Sequence, residues 1–466
     1  MKPMIVSEIL PIIDGQLTIG SEKIEILYGA YRLKQIKRSN TIFFLRKSVK
    51  LVDLNKLNKY APLVIVTEHF YDNVEDENLL AIIKVNDIEA AFWKFIRFYR
   101  NQFQIPIVAV TGTSGKTTTK EMIKHILRSK LNVQATGFSN NSRTAHISYL
   151  LGIDESTEVA VFETAVGQPG DISHACQYFQ PTMGVITNIG SHHLNTCRTK
   201  EGYIKAKGEL IDSLPDEGVL FLNFDDENTR KLSLANFSGR VVTFGLTEHA
   251  QYQATNIRYS KNGMEYTLNV GTNQYDVYVP GFGENQVYNS LAALAVANEI
   301  GVSLPDGINQ LTSFKNLPRH LEQCRGIKGS TILDDSWNIT STSLESAVKV
   351  LNELSNGRKR ILVIDSMTDL GAWGIIMQME VGKIICHYGV DILITIGWLA
   401  GKTGSYVAEQ EIGCEVHMFD DFGYSLAYNL LVEKIDENSL ILLKGDMVSR
   451  GMKRLVAKLK EKKGSD

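Results

Sequence analysis

Short apolar runs alternate with amphipathic stretches along most of the chain, and this alternation predicts strands separated by helices. In the middle of the chain the predicted strands are residues 105–110, 159–162 and 183–186, and the predicted helices are residues 121–131, 202–214 and 285–300. Such alternation is typical of a mainly parallel sheet that is flanked by helices.

The same pattern continues on both sides of this central segment. Before it, the predicted strands are 24–27, 41–44, 63–66 and 80–83, and a helix is predicted at 88–99; after it, the predicted strands are 331–333, 361–364, 392–395 and 440–443. A chain of 466 residues exceeds one ordinary hydrophobic core. We therefore predict three α/β domains, at residues 1–100, 101–314 and 315–466.

Composition narrows the class of protein. With 44% hydrophobic residues, 22% charged residues and a net charge of -3, the chain has a globular composition and no basic field for nucleic acid. The five cysteines lack C-x-x-C spacing, which favours reduced thiols over disulfides or a zinc site. The sequence contains no apolar run of membrane-spanning length and no signal-peptide profile. We expect a cytoplasmic monomer that binds small molecules, does not insert into membranes and does not bind nucleic acid.

A Gly-punctuated turn between the first central strand and the following helix is the strongest chemical signal. Residues 108–119 read Val-Ala-Val-Thr-Gly-Thr-Ser-Gly-Lys-Thr-Thr-Thr, where backbone N–H groups and a helix N-terminus can cradle a polyphosphate. The Lys is expected to reach the phosphates and a Thr hydroxyl to reach Mg²⁺. Val110 stands where the usual loop has its first Gly, so this loop is a shortened variant. The predicted nucleotide-binding residues here are Gly112, Thr113, Ser114, Gly115, Lys116, Thr117 and Thr118.

Polar side chains follow two other predicted strands of the same sheet. Glu163 comes directly after residues 159–162 and is a candidate Mg²⁺ ligand, although a loop charge is an equally good interpretation. His192 and His193 come after the strand that begins at 183, where a histidine can orient metal, water or phosphate, or be an ordinary satisfied polar group. Their positions at strand ends favour a site beside the loop.

Two further groups are candidates for contacts with a nucleoside. Asn285 and Asn289 lie four residues apart on a predicted helix, so their amides share one face and can bind a purine edge; an N-cap at Asn285 is the alternative. Asp334 and Asp335 follow the strand at 331–333, which favours ribose, metal or ammonium binding, or a simple capped turn.

Together and in this order, these segments resemble the Mur ligase family, and within it the UDP-N-acetylmuramoyl-tripeptide:D-alanyl-D-alanine ligases. The resemblance runs from about residue 105 to the C-terminus and includes the short loop, the Asn188-Ile189-Gly190 element with His193-Leu194, and the segment 334–338. It implies a central P-loop ATPase-like domain, a Rossmann-like C-terminal ligase domain, and a small N-terminal α/β domain that binds the UDP-substrate in the family.

The resemblance also implies cofactors and residue roles. ATP and two Mg²⁺ ions are the expected cofactors, and the expected catalytic residues are Lys116, Glu163, His193 and Lys207. One Mg²⁺ is expected on Thr117 and Glu163, and the second on His193 and a carbamate formed on Lys207. The residues expected to contact the nucleoside and its phosphates are Asn285, Asn289, Arg319, Asp335 and Asn338.

The sequence departs from the family pattern where the other substrates are held. The N-terminal domain keeps only Arg32 of an expected Asp-Ser-Arg, and it lacks a Gly-rich segment expected after Phe44. Beyond Asn141, Thr144 and His146 stand where the family has Gly and Pro. These departures predict retained nucleotide chemistry, an altered substrate pair, and weak or no affinity for UDP-sugars.

The leading hypothesis is an ADP-forming, ATP-dependent ligase of a carboxylate and an amine that acts through an acyl phosphate. Its substrates would be a UDP-muramoyl-peptide and D-Ala-D-Ala, or a non-peptidoglycan acid and an amino acid of specialised metabolism. The alternatives are a P-loop phosphotransferase or NTPase, and a nucleotide-binding regulator without catalysis. The presence of all four expected catalytic residues argues against the regulator.

Overall fold

The computed structural model describes residues 1–46, 54–71, 80–138, 141–190 and 194–461. Their sheets fall into three successive segments of the chain, each with its own flanking helices. The first segment contains β1 (Met4–Ile5), β2 (Gln16–Ile19), β3 (Glu25–Ile26), β4 (Tyr28–Ala30), β5 (Thr41–Phe44), β6 (Leu63–Thr67) and β7 (Leu80–Lys84), with helices α1 (Val6–Ile9) and α2 (Ile88–Asn101).

The N-terminal sheet has the order β2-β7-β6-β5-β4, and all of its pairs are parallel except β2 with β7. Its central strands are uninterrupted apolar runs because they are covered on both faces. Asp87 caps α2 by accepting from the N–H groups of Glu89 and Ala90.

The central segment carries the largest sheet, of nine strands. Its strands are β8 (Ile107–Thr111), β9 (Val133–Ala135), β10 (Val159–Glu163), β11 (Met183–Ile186), β12 (Val219–Asn223), β13 (Arg240–Gly245), β14 (Tyr252–Ser260), β15 (Gly263–Val270) and β16 (Asn273–Pro280). Its helices are α3 (Lys116–Leu127), α4 (His146–Leu150), α5 (Asp171–Phe179), α6 (Leu194–Cys197), α7 (Lys200–Asp212), α8 (Glu227–Arg230), α9 (Glu284–Glu299) and α10 (Leu304–Leu311).

Strand order places the phosphate loop at the middle of this sheet. The order is β16-β15-β14-β13-β12-β11-β8-β10-β9, and β8 is parallel to both of its neighbours. The carboxyl ends of β8, β10 and β11 therefore meet at one edge, which is where ligands bind in such sheets. The prediction of a mainly parallel sheet is confirmed, and β14 to β16 add an antiparallel extension that the sequence did not predict.

The C-terminal segment has a six-stranded sheet with the order β17-β18-β22-β19-β20-β21, parallel except at β17. Its strands are β17 (Glu322–Arg325), β18 (Thr331–Asp335), β19 (Lys359–Asp365), β20 (Ile392–Ile396), β21 (Glu415–Phe419) and β22 (Ser439–Lys444). Its helices are α11 (Ser341–Glu353), α12 (Gly374–Tyr388), α13 (Trp398–Glu409), α14 (Tyr424–Lys434) and α15 (Arg450–Leu459).

One helix prediction and two predicted strand ends differ in position from the structure. The helix predicted at 121–131 spans Lys116–Leu127, because the loop's Gly115 lets it begin earlier and Arg128 ends it. Glu163 and Asp334, which we expected just after their strands, lie within the last residues of β10 and β18. No helix among the described residues is long and apolar enough to cross a membrane.

Candidate active site

Two glycines give the loop after β8 its shape. Gly112 has φ 149°, and a Cβ there would lie 1.9 Å from Oγ1 of Thr187. Gly115 has φ 81° and precedes the first residue of α3, and a Cβ there would lie 2.3 Å from Oδ1 of Asn289. A side chain at either position would clash, and the first N–H groups of α3 are left to face the cavity. The loop thus has the form that the sequence predicted for a phosphate cradle.

The segment after β11 holds this loop in place. The Asn188 carbonyl accepts from the N–H of Thr113 at 2.9 Å, and its side-chain oxygen accepts from the N–H of Ser114 at 2.9 Å. The N–H of Gly190 donates to Oγ1 of Thr113 at 2.8 Å. The predicted His193 belongs to residues 191–193, which lie outside the described residues, so its role stays a prediction.

Glu163 is buried at the end of β10 and faces the loop. Its carboxylate accepts from Oγ1 of Thr117 at 2.9 Å and from Nδ2 of Asn141 at 2.8 Å. A hydroxyl beside a carboxylate is a donor set that suits Mg²⁺, with phosphate and water oxygens completing it. Among the described residues no group of three or more His, Cys, Asp or Glu forms a metal cluster.

Two lysines lie close to that carboxylate. Burial lowers the pKa of Lys116, against the opposing effect of Glu163, and its Nζ donates to the Thr113 carbonyl at 3.0 Å. Lys207 is only 1% exposed, and its Nζ donates to the Gly112 carbonyl at 2.9 Å. Burial and, after it, the charge of Lys116 hold the pKa of Lys207 well below its usual value. The neutral amine of Lys207 is therefore favoured.

The predicted amide pair lies on α9, on the far side of the loop. Asn285 and Asn289 both line the cavity, next to Gln286. The side-chain oxygen of Asn289 accepts from Oγ1 of Thr119 at 3.1 Å, which fixes this amide against α3. Both amides are placed where they can contact a nucleoside whose phosphates lie on the loop. The hydrogen bond to Thr119 gives Asn289 a structural role as well.

The C-terminal domain supplies the opposite wall. The carboxylate of Asp335 is buried and paired with Lys444, and burial raises its pKa. Asn338 lines the cavity, and its contact with the nucleotide stays a prediction. Arg319 is not among the cavity-lining residues, because its guanidinium donates to Oγ of Ser336 at 2.9 Å. In this structure Arg319 therefore supports the segment 334–338 by its hydrogen bonds to Ser336.

These walls enclose a cavity of about 730 Å³ between the central and C-terminal domains. It also contains residues that the sequence did not single out as functional. Arg143 and His146 line it beside Asn141, and Tyr203 bonds Oγ1 of Thr113 at 3.2 Å. The departures of Thr144 and His146 from the family pattern were the signals in the sequence that pointed to this wall.

Comparison with known proteins agrees with the geometry. A model of the Mur ligase middle domain matches residues 110–297. The UDP-N-acetylmuramoyl-tripeptide–D-alanyl-D-alanine ligase of Bacillus subtilis is 29% identical over 378 residues, covering 80% of this chain and 79% of the relative. The enzyme of the same name from Escherichia coli is 29% identical and covers 81% and 82%. Residues 110–297 thus match the middle domain of the Mur ligases, and the chain resembles Mur ligases over about four fifths of its length.

Solved structures of Mur ligases have the same fold. MurF from Acinetobacter baumannii has a TM-score of 0.85 and 23% identity, covering 98% of this chain and 99% of that structure. The MurF ligase of Thermotoga maritima in complex with ADP has a TM-score of 0.77 and 23% identity, covering 92% and 96%. The chain therefore shares the Mur ligase fold over nearly its whole length, including the N-terminal segment.

The buried His146 in the cavity wall should make the stability of the protein depend on pH. Burial lowers the pKa of His146 from 6.5 to about 4; His174 and Arg143 lower it further, whereas the Asn141 backbone and Asp171 oppose the shift. Between pH 4 and pH 6.5, His146 binds a proton in the unfolded chain but not in the folded protein. The free energy of unfolding should therefore fall by roughly 3 kcal/mol between pH 6.5 and pH 4 through this group.

Urea denaturation of the protein and of His146→Phe across this pH range measures the effect. The substitution should flatten the pH dependence, whereas His249→Phe, at an exposed histidine, should leave it unchanged. Identical pH dependence in His146→Phe and in the unsubstituted protein would show that His146 does not titrate as described.

Proposed function

We propose that this protein joins a UDP-muramoyl-peptide to D-alanyl-D-alanine, with ATP cleaved to ADP and phosphate. The observation that carries the proposal is the meeting of the glycine loop, the Thr117–Glu163 pair and Lys207 at one edge of the central sheet. The substrate pair follows the names of the relatives in Bacillus subtilis and Escherichia coli. We expect the reaction to take place in the cytoplasm.

The chemistry requires mainly positioning and neutralisation of charge. A carboxylate oxygen of the acid attacks the γ-phosphorus of ATP, and ADP leaves. The amine of the dipeptide then attacks the acyl carbon, and phosphate leaves with the new amide formed. Lys116 and the first N–H groups of α3 would hold the phosphates throughout. Asn285 and Asn289 would contact the adenine from α9.

Thr117 and Glu163 would hold one Mg²⁺, which supplies positive charge to the phosphate oxygens. Lys207 is suited to carbamylation because its neutral amine is the form that adds to CO₂. A carbamate would turn this lysine into an anionic oxygen ligand next to the loop and would remove the repulsion between Lys207 and Lys116. His193 would complete a second metal site, as the family resemblance implies.

Release of ADP tests the proposal directly. We expect sustained ADP release, beyond one ADP per enzyme, only when ATP, a UDP-muramoyl-tripeptide and D-Ala-D-Ala are all present, because the amine must consume the acyl phosphate before the next turnover. A screen that pairs UDP-muramoyl-peptides with amino acids and dipeptides measures this requirement. Sustained ADP release without an acid or without an amine would favour a P-loop NTPase instead, and ATP binding without any release would favour a regulator.

The second candidate function is ligation of a non-peptidoglycan acid. It is favoured by one feature, the replacement of the family's Asp-Ser-Arg by Ala30-Tyr31-Arg32 in the N-terminal domain. In the structure Tyr31 is not presented to a ligand, since its hydroxyl contacts Glu89 at 3.0 Å and its ring stacks on Phe92. Turnover with other acids, and none with muramoyl-peptides, would select this candidate.

Substitution of Lys207 tests the carbamate. We expect Lys207→Ala to abolish ADP release and added bicarbonate not to restore it, because alanine has no amine to carbamylate. Lys205→Ala is the matched control, since Lys205 is exposed on the same helix and should be dispensable. Full activity of Lys207→Ala would remove the carbamate from the mechanism.

The altered N-terminal domain makes a further prediction. Free UDP should compete weakly or not at all with the acid substrate, because the segments that hold the UDP-sugar in the family are replaced here. Inhibition of ADP release by UDP, compared with inhibition by ADP itself, measures this. Tight, saturable competition by UDP would contradict the prediction and strengthen the assignment of a UDP-linked acid.

A further inference from the structure

The cavity continues past Glu163 along a wall that a nucleotide on the loop would not contact. ATP accounts for the loop and for the amides of α9, and the carboxylate that attacks its γ-phosphate must approach from the side of Glu163. That side is formed by the segment 141–146 and the loop before α5. Asn141 joins this wall to the metal-binding carboxylate through its 2.8 Å bond to Glu163.

The wall is rigid and reaches the N-terminal domain. Nε of Arg143 donates to Asp171, and the other oxygen of Asp171 accepts from the N–H groups of Gly167 and Gln168 at 2.8 Å. Nε2 of Gln35, from the N-terminal domain, donates to the Thr144 carbonyl. The wall is therefore held from both domains before any substrate binds.

His146 is the unusual group in this wall. It lines the cavity and is 2% exposed. The Asn141 backbone acts on its ring, but neither ring nitrogen makes a hydrogen bond of ordinary length and angle with a described residue. Its ring packs against aromatic rings whose centroids lie 5.2 Å (Phe179), 5.5 Å (Tyr178) and 5.7 Å (His174) away. A buried imidazole without a partner costs free energy, so a substrate group that satisfies it would bind well.

The chemistry of the imidazole selects the partner. In its neutral form it offers one N–H donor and one lone-pair acceptor, and the surrounding aromatic rings do not favour a charged group there. A peptide group offers the matching N–H and carbonyl, whereas a simple carboxylate offers only acceptors. The reacting carboxylate itself must lie nearer Glu163 and the phosphates. The group at His146 is therefore one that comes before this carboxylate along the acid substrate.

We infer that His146 is a specificity-determining residue for the acid substrate, and that it hydrogen-bonds the amide next to the reacting carboxylate. The acid is accordingly a peptide, and a free amino acid or a simple acid lacks the group that His146 binds. This inference rests on the proposed function and assigns part of its acid-binding surface to a residue of this chain.

Binding measurements test the inference without turnover. Calorimetric titration of the full chain with UDP-muramoyl-tripeptide, in the presence of a non-hydrolysable ATP analogue, gives the affinity for the acid. We expect His146→Phe to weaken it about tenfold by removing one buried hydrogen bond. His146→Gln, which keeps a donor and an acceptor, should recover part of the affinity. The affinity for the ATP analogue should be unchanged in both variants.

A change in the ligand provides the matched control on the unsubstituted protein. A tripeptide in which an ester replaces the amide before the last residue lacks the N–H donor. The protein should bind this ester about tenfold more weakly than the amide, and His146→Phe should bind both equally. A histidine that only packs would give equal binding of amide and ester in every form of the protein.

The outcomes separate the inference from the proposed function. If the tripeptide binds with the expected dependence on His146 but no ADP is released with D-Ala-D-Ala, the proposed function fails and the inference stands. Absence of tripeptide binding, unchanged affinity in His146→Phe, or an equal loss of affinity for the ATP analogue would each overturn the inference.

Discussion

Two neighbouring lysines beside one phosphate loop, whose positive charges oppose each other, set the condition on which the site depends. Lys207 is buried, Lys116 lies within reach of its charge, and Glu163 is the nearest buried carboxylate to oppose them. Removing ammonium groups from water is costly unless anions compensate. Nucleotide phosphates on the loop, and the carbamate proposed on Lys207, would supply such anions.

This arrangement persists because the fold fixes it from several directions. The loop is held by Asn188, and one hydrophobic core runs from α2 in the N-terminal domain to α4 and α5 in the central domain. Arg100 at the end of α2 donates to the Phe179 carbonyl at 2.7 Å, and Oη of Tyr99 donates to the Ile153 carbonyl at 2.6 Å. The wall that contains His146 is consequently anchored by both domains, which limits how far it can adjust to a substrate.

The sequence predicted the parts of the site that depend on local pattern. The loop, the strand that ends at Glu163 and the helix that carries Lys207 are recognisable because each motif lies within a few residues of its own element. Pairings between distant residues were not predictable: Lys444 neutralises Asp335 from 109 positions away, and Asn141 bonds Glu163 across two elements. The antiparallel strands β14 to β16 were also missed, because their alternating polar residues resemble loops when no partner strand is known.

The departures from the family pattern lie mainly where the substrates other than ATP would be held, and this has a physical reason. Residues around the phosphates are constrained by charge and by backbone geometry, as the 1.9 Å clash expected at Gly112 illustrates, so few other residues fit there. The acid-binding wall has a looser requirement, since any buried polar group that finds a partner on the substrate is acceptable. An unsatisfied imidazole at His146 would be a defect in a purely structural wall. Its place beside the phosphate loop is consistent with a partner that arrives with the acid substrate.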